Sequence, residues 1–218
     1  MPELPEIETV RRHLEAVVLH KTIRKVDVFY DKILKNQTKA EFSKKLVGET
    51  FSSFKRLGKY LIIELTNYYL ISHLRMEGKY ILETNQDFSK HEHIVFYLDD
   101  CNLRYHDTRK FGTMHLYPKT VDIYHEVPLI NVGYEPFDER LDNKYLTSRF
   151  RNSKRPIKST LLDQTIISGL GNIYVDEVLF MCKLNPQEET GKLTSDDIDN
   201  IIKNAVIVLN KAIELGTY

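Results

Sequence analysis

A chain of 218 residues with 42% apolar content can bury one large or two modest cores, and 31 Lys/Arg against 31 Asp/Glu leave it formally neutral. No run approaches the roughly 20 apolar residues of a membrane span, and four acids within residues 1–20 exclude a signal or transit peptide, so a cytoplasmic protein is expected. Two cysteines, Cys101 and Cys182, exclude a disulfide framework and a four-cysteine zinc site within these residues. The neutral total hides a sorted distribution. Residues 1–60 hold 13 Lys/Arg against 8 Asp/Glu, and residues 149–160 hold five bases and no acid, whereas 61–148 and 161–218 are each acidic by five. A solvated face explains one basic run; two separated runs predict a basic groove assembled from both halves.

In chain order, Ile7, Val10, Leu14, Val17 and Val18 recur at helical spacing behind Pro5 and clustered acids, which predicts an N-terminal helix. From Thr22 to about Pro118 the pattern becomes short β-rich runs: TIRKVDVFY, YLIIEL, YYLISHLR, GKYILET, HIVFYL, NLRYHD and GTMHLYP, with turn signals at Thr66-Asn67 and Asp99-Asp100. Seven or eight strands at this spacing predict a β-sandwich or barrel. The Pro/Gly-rich passage VPLINVGYEPF (127–137) marks a boundary, and helices are expected near 142–151, 157–163, 173–182 and 195–214, the last capped by Thr194 or Ser195. The fold class is therefore α+β: an N-terminal helix and an eight-strand β-sandwich over 1–130, followed by a helical domain over 131–218.

Four strings could carry chemistry. In MPELPEIETVRR, removal of Met1 would leave the secondary amine of Pro2 beside Glu3 and Glu6, although proline and acids also simply open helices. An α-amino group with a reference pKa of about 7.7–8.0 keeps a neutral, nucleophilic fraction near physiological pH, unlike an ordinary lysine. RLGKYLIIEL sets Lys59 before an apolar strand, where a solvated charge is the ordinary outcome. HLRMEGK (73–79) and HDTRKFG (106–112) hold Met76, Arg109 and Phe111 beside the turn signals Gly78 and Gly112; elsewhere such Met and Phe residues are usually core. KRPIKSTLLDQTIISGLGNIYVDEVLF (154–180) offers Lys154, Lys158 and a GLGN turn opening a helix, which would aim backbone N–H groups and the side chain of Asn172 at a phosphate. Gly169 and Gly171 lack the third glycine of a dinucleotide fingerprint, which argues against a nucleotide cofactor.

From MPELPE to the last helix, these strings resemble the formamidopyrimidine-DNA glycosylases, and MPELPE resembles that branch rather than the endonuclease VIII-like one. The resemblance implies a base-excision repair glycosylase and abasic-site lyase that removes 8-oxoguanine and formamidopyrimidines from duplex DNA. It makes Pro2 the nucleophile at C1′ that forms a Schiff base, Glu3 the proton-handling carboxylate, Glu6 a supporting acid, and Lys59 a backbone-contacting lysine that donates a proton during elimination. Met76, Arg109 and Phe111 become the wedge that fills the stack around an extruded nucleotide. His91 of KHEH, Lys154, Lys158 and Asn172 become DNA contacts within a helix–two-turn–helix unit.

The family usually continues into a C-terminal zinc finger with four cysteines. The resemblance therefore implies one structural zinc in longer members and no cofactor within this chain, with lesion-bearing or abasic double-stranded DNA as partner to a monomer. A second reading is a damaged-DNA-binding module without full turnover.

Overall fold

The structure is a computed structural model describing residues 1–216. The chain forms two compact units: Met1–Pro2, Val10–Arg56 and Tyr60–Glu126 make the first, and Glu3–Thr9, Leu57–Lys59 and the chain from Val127 onward make the second.

In the first unit, the later turns of helix α1 (Leu4–Val18) lead into eight strands: β1 (Lys25–Val28), β2 (Ser53–Leu57), β3 (Tyr60–Glu64), β4 (Tyr68–His73), β5 (Lys79–Glu83), β6 (Glu92–Tyr97), β7 (Asn102–His106) and β8 (Thr113–Pro118). They form two four-stranded sheets, ordered β1-β6-β7-β5 and β2-β3-β4-β8. The β6–β7 pairing slips between Glu92 and Ile94, and such a bulge re-aims the side chains around it, here those of the His91–His93 stretch. Leu61, Ile62 and Ile63 are all buried, so β3 is covered on both faces, and β6 and β7 are buried along most of their lengths.

The β-rich expectation for 22–118 needs one correction. A helix, α2 (Lys39–Leu46), interrupts the strands, and β2 lies in a stretch not read as a strand. Thr38 and Glu41 form a reciprocal capping box at the start of α2. Only Phe42 and Leu46 are buried from it, so the apolar periodicity is two residues deep and easily overlooked. Those two side chains each contribute about 1.5–3 kcal/mol of burial, and the Phe42 ring meets Phe96 of β6 with centroids 6.2 Å apart.

The second unit is helical: α3 (Asn143–Phe150), α4 (Ile157–Leu161), α5 (Asn172–Cys182) and α6 (Ser195–Leu215). Its core joins Leu4 to Leu146, Phe150, Leu161, Leu170, Val175, Val178, Ile201 and Leu209. Thr194 caps α6 in a box with Asp197, and Ile198, Ile201, Ala205, Val208, Leu209 and Ala212 form its buried stripe. Among the described residues, no helix is long and apolar enough to cross a membrane.

Candidate functional site

The second unit gathers the first residues of the chain onto the start of α5. The helix leaves its leading N–H groups without intrahelical acceptors, and the carboxylate of Glu3 fills that place. Glu3 Oε2 accepts from the Gly171 N–H at 2.7 Å and from the Tyr174 N–H at 3.3 Å, while Oε1 accepts from the Ile173 N–H at 2.9 Å. This narrows the expectation that the helix start offers its backbone donors to an external phosphate: the Gly171, Ile173 and Tyr174 N–H groups are engaged by an internal carboxylate. The side chain of Asn172 is exposed.

The glycines of the turn follow from that arrangement. A Cβ on Gly171 would stand 2.6 Å from Glu3 Cδ, and one on Gly169, whose φ is +104°, would stand 2.5 Å from Leu4 Cδ1. Gly169 also accepts the Leu4 N–H on its carbonyl at 2.9 Å and donates its own N–H to Gln164 Oε1 at 2.9 Å.

Glu6 closes the other side of the cradle. Its Oε2 accepts from the Glu3 N–H at 2.9 Å and its Oε1 from the Tyr174 hydroxyl at 2.6 Å. Lys59 is 4% exposed, not the solvated strand-edge charge its sequence context allows. It follows the tight turn at Gly58, whose φ is +57° and whose N–H donates to Glu135 Oε1 at 2.6 Å. Burial lowers the Lys59 pKa below the ordinary lysine value, while the negative charges of Glu3 and Glu6 oppose that shift. Burial likewise raises the Glu3 carboxyl above its usual range, against the three N–H donors and Lys59. The result is a carboxylate and an amine held within one unit, each nearer to exchanging its proton at neutral pH than in water. Pro2 directly precedes Glu3, and with Met1 in place its nitrogen lies in a peptide bond.

The first unit presents a different surface. Met76 is 41% and Phe111 51% exposed, so neither is a core residue. Arg109 is exposed, with its guanidinium 4.8 Å from the centroid of the Phe111 ring. Beneath them lies a fully buried carboxylate, Asp107. Its Oδ1 accepts from the Arg109 and Lys110 N–H groups, each at 3.1 Å; its Oδ2 accepts from the Gly112 N–H at 2.8 Å and the Tyr105 hydroxyl at 2.9 Å. Added Cβ atoms on Gly112 and Gly78 would lie 1.6 Å and 2.5 Å from the Tyr105 hydroxyl oxygen. Both loops therefore need glycine because they close over one hydroxyl. The Thr108 hydroxyl also joins the loops by donating to Glu77.

His91 is half-buried, its ring edge-on to His106 with centroids 5.7 Å apart, and its carbonyl accepts the Asp107 N–H at 2.9 Å. Burial, first, and nearby Lys79 lower the pKa of His106, so its ring favours the neutral form. The neighbouring His93 is buried and bonds the Asp107 carbonyl through Nε2 at 2.7 Å.

The basic run at 149–160 is partly neutralised. Lys158 pairs with Asp176 at 2.8 Å and Arg155 with Asp163 at 2.9 Å, while Lys154 is exposed. Exposed pairs of this kind contribute only about 0–1 kcal/mol, so a phosphate can displace the acid. Among the described residues, no group of three or more His, Cys, Asp or Glu could hold a metal ion.

Sequence reasoning missed Tyr174, Glu135, Tyr105 and Asp107. Asp107 alone left a readable signal, an aspartate opening a loop whose next residues have free N–H groups. The others act through contacts distant in sequence.

Two family descriptions match the chain: the formamidopyrimidine-DNA glycosylase N-terminal domain over residues 1–114 and the formamidopyrimidine-DNA glycosylase H2TH domain over 132–218. The formamidopyrimidine-DNA glycosylase of Bacillus anthracis is 47% identical over 219 residues, covering 99% of this chain and 79% of that protein. The protein of the same name from an Exiguobacterium species is 46% identical over 220 residues, with the same coverage. Lactococcus lactis Fpg in complex with abasic-site DNA superposes with a TM-score of 0.91 at 40% identity, covering 99% of this chain and 81% of that one. The wild-type Lactococcus protein bound to DNA containing an oxidized pyrimidine gives 0.92 at 40% identity, covering 100% and 82%. The chain belongs to the formamidopyrimidine-DNA glycosylase family.

Proposed function

We propose that this protein is a cytoplasmic base-excision repair enzyme that removes oxidised purines from duplex DNA and then cleaves the abasic site, acting as a monomer. The observation that carries the reading is the Glu3 cradle: a desolvated carboxylate, fixed by three backbone N–H groups, next in sequence to Pro2. After removal of Met1, the Pro2 amine attacks C1′ of the damaged nucleotide. The N-glycosidic bond breaks as the N–C1′ bond forms, and the base leaves with its bonding electrons and a proton. Opening of the sugar gives a cationic iminium, which accepts the electron pair left when a C2′ proton is lost; the resulting enamine then expels the 3′ phosphate, which leaves with the electrons of the C3′–O bond. Glu3 exchanges protons at the sugar, with its raised pKa suited to both directions of transfer. Lys59 supplies a proton and a cation toward the DNA backbone. Met76, Phe111 and Arg109 fill and read the gap left by the extruded nucleotide, an apolar wedge with a hydrogen-bonding cation beside it. His91, Lys154, Lys158 and Asn172 contact the DNA backbone.

The test is borohydride trapping of processed protein on duplex DNA bearing 8-oxoguanine or an abasic site. A covalent adduct mapping to Pro2, absent in Pro2→Gly, is expected. Lesion binding without any adduct or strand cleavage would instead identify a damaged-DNA-binding module.

A further inference from the structure

Tyr174 was not among the residues that the sequence singled out, yet it reaches the N-terminal segment twice. Its backbone N–H donates to Glu3 Oε2 at 3.3 Å and its hydroxyl donates to Glu6 Oε1 at 2.6 Å. The second oxygen of Glu6 receives the Glu3 N–H at 2.9 Å. A continuous path therefore runs from the Tyr174 hydroxyl through the Glu6 carboxylate to the peptide unit joining Pro2 to Glu3. Tyr174 is 9% exposed and is the third residue of α5, within the core that also holds Leu4. A rigid element thus holds both the carboxylate of Glu3 and the main chain that carries the Pro2 nitrogen.

The geometry points to Tyr174 as a positioning residue for the reaction: through Glu6, its hydroxyl fixes the orientation of the residue 2–3 peptide and hence of the Pro2 amine. This inference rests on the proposed role of Pro2. A hydrogen bond to a charged acceptor is shorter and stronger than a neutral one, and a misplaced attacking atom costs rate even when substrate still binds. The hydroxyl should therefore matter to the chemical step and not to DNA affinity. Tyr174→Phe keeps the ring and its packing and removes only the donor. Glu6→Gln keeps the shape and one acceptor oxygen but removes the charge.

Single-turnover base release with enzyme in excess, together with affinity for a duplex bearing a tetrahydrofuran abasic analogue, separates the two effects. Tyr174→Phe is expected to slow base release about tenfold, the equivalent of one charge-assisted hydrogen bond, with analogue affinity within about twofold of the parent. The double variant with Glu6→Gln should be no slower than the slower single variant, because both changes break one path. Parent-like base release in Tyr174→Phe, multiplicative losses in the double variant, or a loss confined to affinity would each overturn the role. Pro2→Gly and Glu3→Gln distinguish the levels of failure. If both turn over normally, the proposed function itself fails; if both are inactive while Tyr174→Phe is unimpaired, only the positioning role does.

Discussion

The two candidate regions use buried carboxylates to opposite ends. In the second unit the buried acid is the group to which the proposed mechanism gives the proton transfer: Glu3 is held by three N–H donors at the start of α5, and burial raises its pKa. In the first unit the buried acid is scaffolding: Asp107 satisfies three N–H groups and a hydroxyl, while the groups suited to DNA, Met76, Arg109 and Phe111, stand exposed above it. Chemistry needs a desolvated, preorganised group, whereas a wedge must be free to leave water for the interior of a duplex. Under the proposed function, the same residue type therefore serves in one place as the tool and in the other as the mount.

The sharpest way to break this contrast is to remove each carboxylate in turn. Glu3→Gln should lower single-turnover base release by about 10²–10⁴-fold, the usual contribution of a positioned acid–base group. Gly171→Ala tests preorganisation while keeping Glu3 itself, because the new methyl would stand 2.6 Å from Glu3 Cδ and force the carboxylate to shift. At least a tenfold slower reaction is expected, with lesion-analogue binding largely kept; unchanged rates would show that the carboxylate position is immaterial.

Asp107→Ala should instead act on stability. It strands the Arg109, Lys110 and Gly112 N–H groups, and denaturant unfolding should record a loss of about 3 kcal/mol. If unfolding is unaffected but activity collapses, Asp107 belongs with the reactive acids and the contrast fails.

The pH profile sharpens the reactive side. Glu3 has a raised pKa, so its basic form emerges at higher pH than in an ordinary glutamate; Lys59 has a lowered pKa, so its ammonium is lost at lower pH than in an ordinary lysine. The rate of strand cleavage should therefore trace a bell narrower than the two reference values define. Glu6→Gln removes one of the two negative charges that favour protonated Lys59, so the alkaline limb should move to lower pH. A limb that stays fixed would place the titrating group elsewhere.

Much of this contrast was legible in the sequence because the reactive strings are local. MPELPE, RLGK, the two glycine-bearing loops and GLGN each occupy a few consecutive residues, and helices α3 and α6 carry side-chain caps from Asp142 and Thr194. What stayed hidden depends on partners far apart in the chain. The GLGN turn looked like a phosphate seat because N–H groups at a helix start are a local property, but Glu3, 168 positions away from Gly171, takes the Gly171 N–H and those of Ile173 and Tyr174 just after it. The glycines at 78 and 112 looked like turn formers, yet their requirement comes from the Tyr105 hydroxyl. Helix α2 was concealed differently, since Lys39, Lys44 and Lys45 crowd a segment that buries only two side chains.

The smallest expected effect is the most diagnostic for the first unit. Phe111→Ala removes a large apolar side chain, and at a core position that would cost about 3–5 kcal/mol. Here the ring is 51% exposed and meets the Arg109 guanidinium, an exposed cation–π contact that contributes about 0.5–1 kcal/mol. The variant should therefore unfold within about 1 kcal/mol of the parent while binding lesion-bearing duplex more weakly. If Phe111→Ala binds normally but unfolds several kcal/mol earlier, the ring is holding the loop together. The division between buried mount and exposed wedge would then have to be withdrawn for that side chain.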